Sequence, residues 1–111
     1  MSSSQNRDLV FAVDVSSFTK DGFVGITSLD GVRVDIEFDE KDEGVFLPRE
    51  MCERIGVRNG SKVQVIVDNE DRPEVADAVV KGVRGTVRIS NAKVYYGVGK
   101  SGGAILRVRK T

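Results

Sequence analysis

The sequence predicts an all-β domain, a barrel or a sandwich, of about seven to eight strands with one short helix. Three observations carry that expectation. Apolar and polar residues alternate in short runs, which places one face of each segment on a core. The runs are separated by Gly, Asp, Asn and Pro, the residues that turn a chain. Helical spacing shows in one stretch only, Arg49 to Ile55.

Taken in order, Leu9, Phe11, Val13 and Val15 line one face of a first strand, and Phe23 to Leu29 form a second after the turn Thr19-Lys20-Asp21-Gly22. Asp30-Gly31 makes a tight hairpin into Val32 to Phe38, where Val32, Val34, Ile36 and Phe38 alternate with Arg33, Asp35 and Glu37. Asp39 to Glu43 reads as a solvated acidic loop. Met51 and Ile55 then share a helical face, Pro48 suits a first helical position and Gly56 a left-handed stop. Asn59-Gly60 turns into the strand Lys62 to Val67, and Asp68 to Pro73 is a polar loop. Val75 to Val83, Thr86 to Ser90, Ala92 to Val98 and Ala104 to Lys110 complete the set as strands. No internal repeat and no dividing linker is evident. The polar Met1 to Arg7 is expected to be a flexible tail and residues 8–111 a single β-barrel domain.

Composition narrows the chemistry. Cys52 is the only cysteine and histidine is absent, which excludes disulfide scaffolds, zinc clusters, Cys-His nucleophile pairs and imidazole acid–base catalysis. The remaining expectation is a non-catalytic protein with no cofactor and no metal, and Cys52 serves as a small buried hydrophobe. Neither a signal peptide nor a bilayer-length apolar run is present, which predicts a soluble protein of the cytoplasm.

Lys+Arg and Asp+Glu both number 17, yet the charge is unevenly placed. Asp30 to Glu53 holds nine acids against three bases, whereas Ala78 to Thr111 holds eight bases and no acid. Either the two segments neutralise each other across the fold, or the second forms a basic surface for an acidic partner or nucleic acid.

One stretch resembles a phosphate site. Gly99-Lys100-Ser101 are the residues that close a G-x-x-x-x-G-K-[ST] loop, but the position five before Gly99 is Val94, and the alternating Ala104 to Lys110 follows where a helix is required. The expectation is a wide hairpin loop, with Gly97, Gly99, Gly102 and Gly103 supplying its glycines.

Two family resemblances remain, carried by different residues. Val45 to Val67, VFLPREMCERIGVRNGSKVQVIV, looks like the strand, short helix, turn and strand of cradle-loop barrels such as swapped-hairpin transcription regulators, which implies a dimeric DNA-binding regulator. The second runs in order along the chain. Asp71-Arg72-Pro73 with Ala76-Asp77, then Gly85-Thr86-Val87, then Val94-Tyr95-Tyr96 as an aromatic strand, and finally Gly102-Gly103-Ala104-Ile105-Leu106-Arg107-Val108 resemble the RNA polymerase subunit eight family. That family has an OB-like barrel and is the small shared subunit of nuclear polymerases with archaeal counterparts.

The resemblance implies a non-catalytic subunit of an archaeal DNA-dependent RNA polymerase, monomeric when isolated, that docks on the largest subunit and supports assembly or stability. Within it, Gly85, Gly102, Gly103 and Leu106 are expected to form a structural signature, and Tyr95, Arg107 and Arg109 to bind the partner, since arginine beside aliphatic residues is favoured at interface hot spots. Tyr95 and Tyr96, on a strand, would point to opposite faces. Direct nucleic-acid contact through basic residues and surface aromatics (Phe18, Phe23, Tyr95, Tyr96) stays open as a third reading.

Overall fold

A computed structural model describes residues 8–18, 22–27, 33–68, 73–83 and 85–111. Eight strands appear in the order β1 (Leu9–Phe18), β2 (Gly22–Thr27), β3 (Arg33–Glu37), β4 (Gly44–Leu47), β5 (Lys62–Asp68), β6 (Glu74–Val83), β7 (Val87–Ser90) and β8 (Gly103–Lys110). Helix α1 (Arg49–Ile55) follows β4, and helix α2 (Ala92–Ser101) follows β7. The strands close as β1-β2-β3-β7-β4-β6-β5-β8, with β8 pairing back onto β1. The expected small all-β, OB-like barrel of seven to eight strands is met. The predicted turn Asp30-Gly31 and the Asp71-Arg72 marker lie outside the described residues.

Alternation builds the core. Leu9, Phe11 and Val13 on β1, Val34 and Ile36 on β3, Val63, Val65 and Val67 on β5, Val87 and Ile89 on β7, and Leu106 and Val108 on β8 are all buried in one cluster. β5 shows the period-two pattern without interruption. Closure gives each strand a neighbour on both sides, with β6 running beyond the short β4 so that Glu74–Val79 pair on the β5 side only.

The helix over Arg49–Ile55 stands where its signals place it. Met51, Cys52 and Ile55 are buried, and Gly56 stops the helix in the left-handed region at φ 72° with its N–H donating to the Cys52 and Glu53 carbonyls. Pro48 sits one position earlier than expected, at the N-cap in extended conformation. The Cys52 side chain joins the core, and burial followed by the neighbouring Glu53 carboxylate pushes its thiol above the usual value.

The segment Ala92 to Val98 is a correction. It is not a strand but the first two turns of α2, so the barrel carries two helices instead of one. Asn91 caps it: its side-chain oxygen accepts from the Lys93 N–H at 2.9 Å and the Val94 N–H at 3.3 Å. Asn91 is itself fixed, because its N–H donates to the Glu37 carbonyl at 3.1 Å. Val94 and Val98 are fully buried, and Gly97 packs on β5, where a Cβ would stand in van der Waals contact with Val67 Cγ1 at 3.4 Å. β-Branched and aromatic side chains favour a strand intrinsically, but this cap and this buried stripe outweigh the preference.

The strand pairing adds a repetition. Exchanging β3-β4-α1-β5 with β6-β7-α2-β8 maps the parallel pair β3·β7 onto the parallel pair β6·β4, and returns the antiparallel pairs β4·β7 and β5·β8 to themselves. The chain is thus two strand-strand-helix-strand units related by a pseudo-two-fold, a repeat in pairing that the sequence does not display. The β1–β2 hairpin is inserted between β8 and β3 and completes the barrel. Among the described residues no helix is long and apolar enough to cross a membrane.

Candidate functional site

Three surfaces carry the polar chemistry of the barrel. The first lies at the pseudo-two-fold, where β4 and β7 run antiparallel with Phe46 opposite Arg88. Arg88 donates to Glu37 Oε1, and from Nη1 to Asp42 Oδ2 at 3.1 Å. Burial opposes its charge, but the bonds and charges of Glu37 and then Asp42 outweigh that and hold its pKa above the ordinary arginine value. The acidic loop is therefore more than a solvated turn. Its 3-10 segment Glu40–Asp42 is capped by Asp39, whose backbone N–H donates to Ser90 Oγ at 2.9 Å, tying the loop to the end of β7. Glu37, Phe38, Asp39, Glu40, Lys41 and Arg88 line an open groove of 640 Å³. Its arginine is already satisfied by carboxylates.

The second surface is the outer face of β1, β8, β5 and β6. Inward alternation of Leu106 and Val108 turns Ile105, Arg107 and Arg109 outward. Cross-strand register places Val10 and Ile66 on either side of Arg107, and Val75 beyond Ile66. Ile105 is 42 % exposed and Val75 44 % exposed. Half-buried Arg107 thus rises from an aliphatic bed, and it makes no hydrogen bond or ion pair with any described residue. Arg109 differs, since its Nη2 meets Asp8 Oδ2 at 3.2 Å. The face carries Asp8, Asp68 and Asp77 against Lys62, Lys81, Arg107 and Arg109.

The third surface is the exposed side of α2. Tyr95 is half-buried against the core, whereas Tyr96 is 64 % exposed, their rings edge to face at 5.2 Å. They differ in burial as expected, though through helical geometry and not through strand alternation. Lys93 and Lys100 flank Tyr96 and are exposed.

The expected signature residues are thereby placed. Leu106 is fully buried in the core. Gly102 is the helix C-cap in left-handed conformation at φ 73°, while Gly103 is the first residue of β8, paired with Asp14. Gly85 lies in the bend before β7, exposed, with nothing within 4 Å of a Cβ there. Tyr95 stands on α2 and the two arginines on β8, so the three residues expected to bind a partner do not share one element. The expected hairpin loop of Gly97, Gly99, Gly102 and Gly103 is instead the body and end of α2. Gly99-Lys100-Ser101 close a helix where a phosphate loop would open one, so the adjacent dipole end is negative and repels phosphate.

Sequence reasoning missed Arg88 and Asn91 as organised positions, whereas Tyr96 was among the surface aromatics it named. For Asn91 a signal exists, an Asn three residues before Val94 with apolar or small residues at 97 and 98; for the Arg88 cluster the partners lie 46 and 51 residues away and leave no local trace. No family model, no curated protein and no solved structure matches the chain.

Proposed function

We propose that the chain is a non-catalytic docking subunit of a larger intracellular assembly, which it engages through the outer face of β1, β8, β5 and β6. The observation that carries this reading is Arg107, an arginine without a partner among the described residues, set among Val10, Ile66 and Ile105. Arginine set on solvent-exposed aliphatic surface, ready to be desolvated by a partner, is the pattern of an interface anchor. Mixed charge on the face favours a protein over a polyanion, since nucleic acid selects a continuous basic surface. The assembly nominated by the Gly102 to Val108 resemblance is an archaeal DNA-dependent RNA polymerase, with the largest subunit as the partner and the cytoplasm as the compartment. Chemistry there belongs to the other chains.

A second reading is favoured by the pairing pattern. β4-α1-β5 spans the Val45 to Val67 segment that resembles cradle-loop barrels, and β7-α2-β8 repeats its plan. On that reading the chain is a DNA-binding regulator. The Val94-Tyr95-Tyr96 marker, a strand in the polymerase resemblance and helix here, also favours it.

The deciding experiment is recovery of RNA polymerase with a tagged chain, beside Arg107→Ala. The docking reading expects polymerase subunits with the parent chain and a several-fold loss with the variant, its melting temperature unchanged because a surface arginine adds little to a monomer. Equal recovery with the variant, or none with the parent, overturns it.

A further inference from the structure

Helix α2 presents three side chains that neither the core nor the docking face uses. At about 3.6 residues per turn, Lys93, Tyr96 and Lys100 fall within about 60° of arc, centred about 120° around the helix from the buried Val94, Gly97 and Val98. All three are exposed, and Tyr96 is the most exposed large hydrophobic side chain among the described residues at 64 %. Its ring is steadied edge to face by Tyr95, which is packed on the core. An aromatic ring left mostly in water by a helix with a buried stripe of its own contributes little to the barrel's burial.

Charge is the second observation. α2 contains no acid, and neither Lys93 nor Lys100 forms an ion pair with a described residue. Two other cations of this half of the chain are paired, Arg88 with Glu37 and Asp42 and Arg109 with Asp8, while Lys81, Arg107 and Lys110 stand on β6 and β8, not on this helix. The surplus positive charge of α2 therefore brackets an exposed aromatic ring. Along the helix the two lysines are separated by about 10 Å, at about 1.5 Å per residue, enough to place an ammonium on each side of a stacked base.

We infer that this face of α2 binds single-stranded nucleic acid, with a base stacked on Tyr96 and backbone phosphates met by Lys93 and Lys100. Every base has a π face, so the contact is sequence-tolerant, and a paired duplex hides those faces from a convex helix. An acidic peptide would use the lysines but leave the ring without a matching surface. The site is separate from Arg107 and holds whether or not the docking reading does.

The test uses the full chain and a fluorescein-labelled oligothymidylate of about 12 nucleotides, followed by anisotropy at about 50 mM salt and above. The expected result is saturable binding that weakens with salt. Tyr96→Leu should weaken it by about 5-fold to 150-fold while Tyr96→Phe retains it, as loss of one stacked base requires. A Lys93→Gln/Lys100→Gln double variant should lower the salt slope by about 1.4, at about 0.7 per phosphate released. Arg107→Ala should bind as the parent does, which keeps this result distinct from the docking experiment. Circular dichroism checks that each variant folds; should Tyr96→Leu not fold, the double variant and amide shifts centred on 93–100 carry the test. Absence of saturable binding, an unaffected Tyr96→Leu, or a duplex that competes as well as the single strand overturns the inference.

Discussion

Arg88 sits with its guanidinium carbon 5.1 Å from the centre of the Phe46 ring, directly across the β4–β7 pair. The two residues occupy the centre of the pseudo-two-fold, because the fully buried neighbours Val45 and Leu47 on one strand match Val87 and Ile89 on the other. Where symmetry would place two like residues together, the chain places a cation on an aromatic face. Glu37 and Asp42 then hold the far side of the guanidinium. One side chain joins β7 to β3, β4 and the acidic loop.

Removal of that side chain strands two carboxylates and an uncovered ring. Arg88→Ala is expected to lower stability by about 1.5–3 kcal/mol, the range for hydrogen bonds to charged groups. Arg88→Lys should recover part of the loss, since an ammonium supplies charge without the planar fork. Urea denaturation at neutral pH is the measurement, and a parent-like midpoint for Arg88→Ala would show the cluster to be superficial.

How much of this was legible follows from distance along the chain. Pro48, Met51, Ile55 and Gly56 announce α1, and the alternation of Val63, Val65 and Val67 announces β5, because cap and period are local signals. The α2 segment misleads for a physical reason: Val94, Tyr95 and Tyr96 favour strand, and its glycines imitate a hairpin, while the decisive contact, Gly97 against Val67, joins residues 30 apart. The parallel pairs β3·β7 and β4·β6, and the Arg88 cluster with them, depend on closure of the whole barrel. Of the site residues, Leu106 and Arg107 were legible because alternation alone sends one inward and the other outward.

Glycine requirements separate by backbone conformation. Gly102→Ala is expected to cost about 1 kcal/mol, since its Cβ meets nothing within 4 Å and the penalty is that of the left-handed conformation at φ 73°. Gly85→Ala should stay within about 0.5 kcal/mol of the parent, because its surroundings are open and its φ is not positive. Thermal unfolding of the two variants side by side distinguishes them. Equal effects would contradict the assigned helix end.

Leu106 contributes through burial. Its side chain is fully enclosed and its strand neighbours are Phe11 on one side and Val67 on the other. Leu106→Ala should destabilise the barrel by about 2–5 kcal/mol, the transfer loss plus the cavity left behind. In urea the midpoint should fall at an unchanged m value.

Because one chain pairs β8 with β1 and closes its own barrel, the isolated protein is expected to be a monomer of 12.1 kDa. Multi-angle light scattering over a range of concentrations measures this. An obligate dimer that unfolds as it dissociates would mean that a strand is exchanged between copies, and it would favour the regulator over the docking subunit.

The strongest test of the α2 assignment is its cap. Asn91 is 7 % exposed and its side-chain oxygen serves two N–H groups of the first turn, while its own N–H is held by the Glu37 carbonyl at 3.1 Å. Asn91→Ala removes the acceptor and leaves the backbone bond in place, so the first-turn donors lose their partner without loss of the helix's position. The expected cost is about 0.5–2 kcal/mol. Asn91→Asp should retain the cap and add a charge favoured by the helix N-terminus, so it should fall near the parent. Backbone chemical shifts give the structural readout. Helical Cα shifts across 92–101 in the parent, weakened toward the N-terminal end in Asn91→Ala, support the assignment; strand-like shifts at Val94, Tyr95 and Tyr96 in the parent would restore the hairpin and remove the exposed arc on which the nucleic-acid site depends.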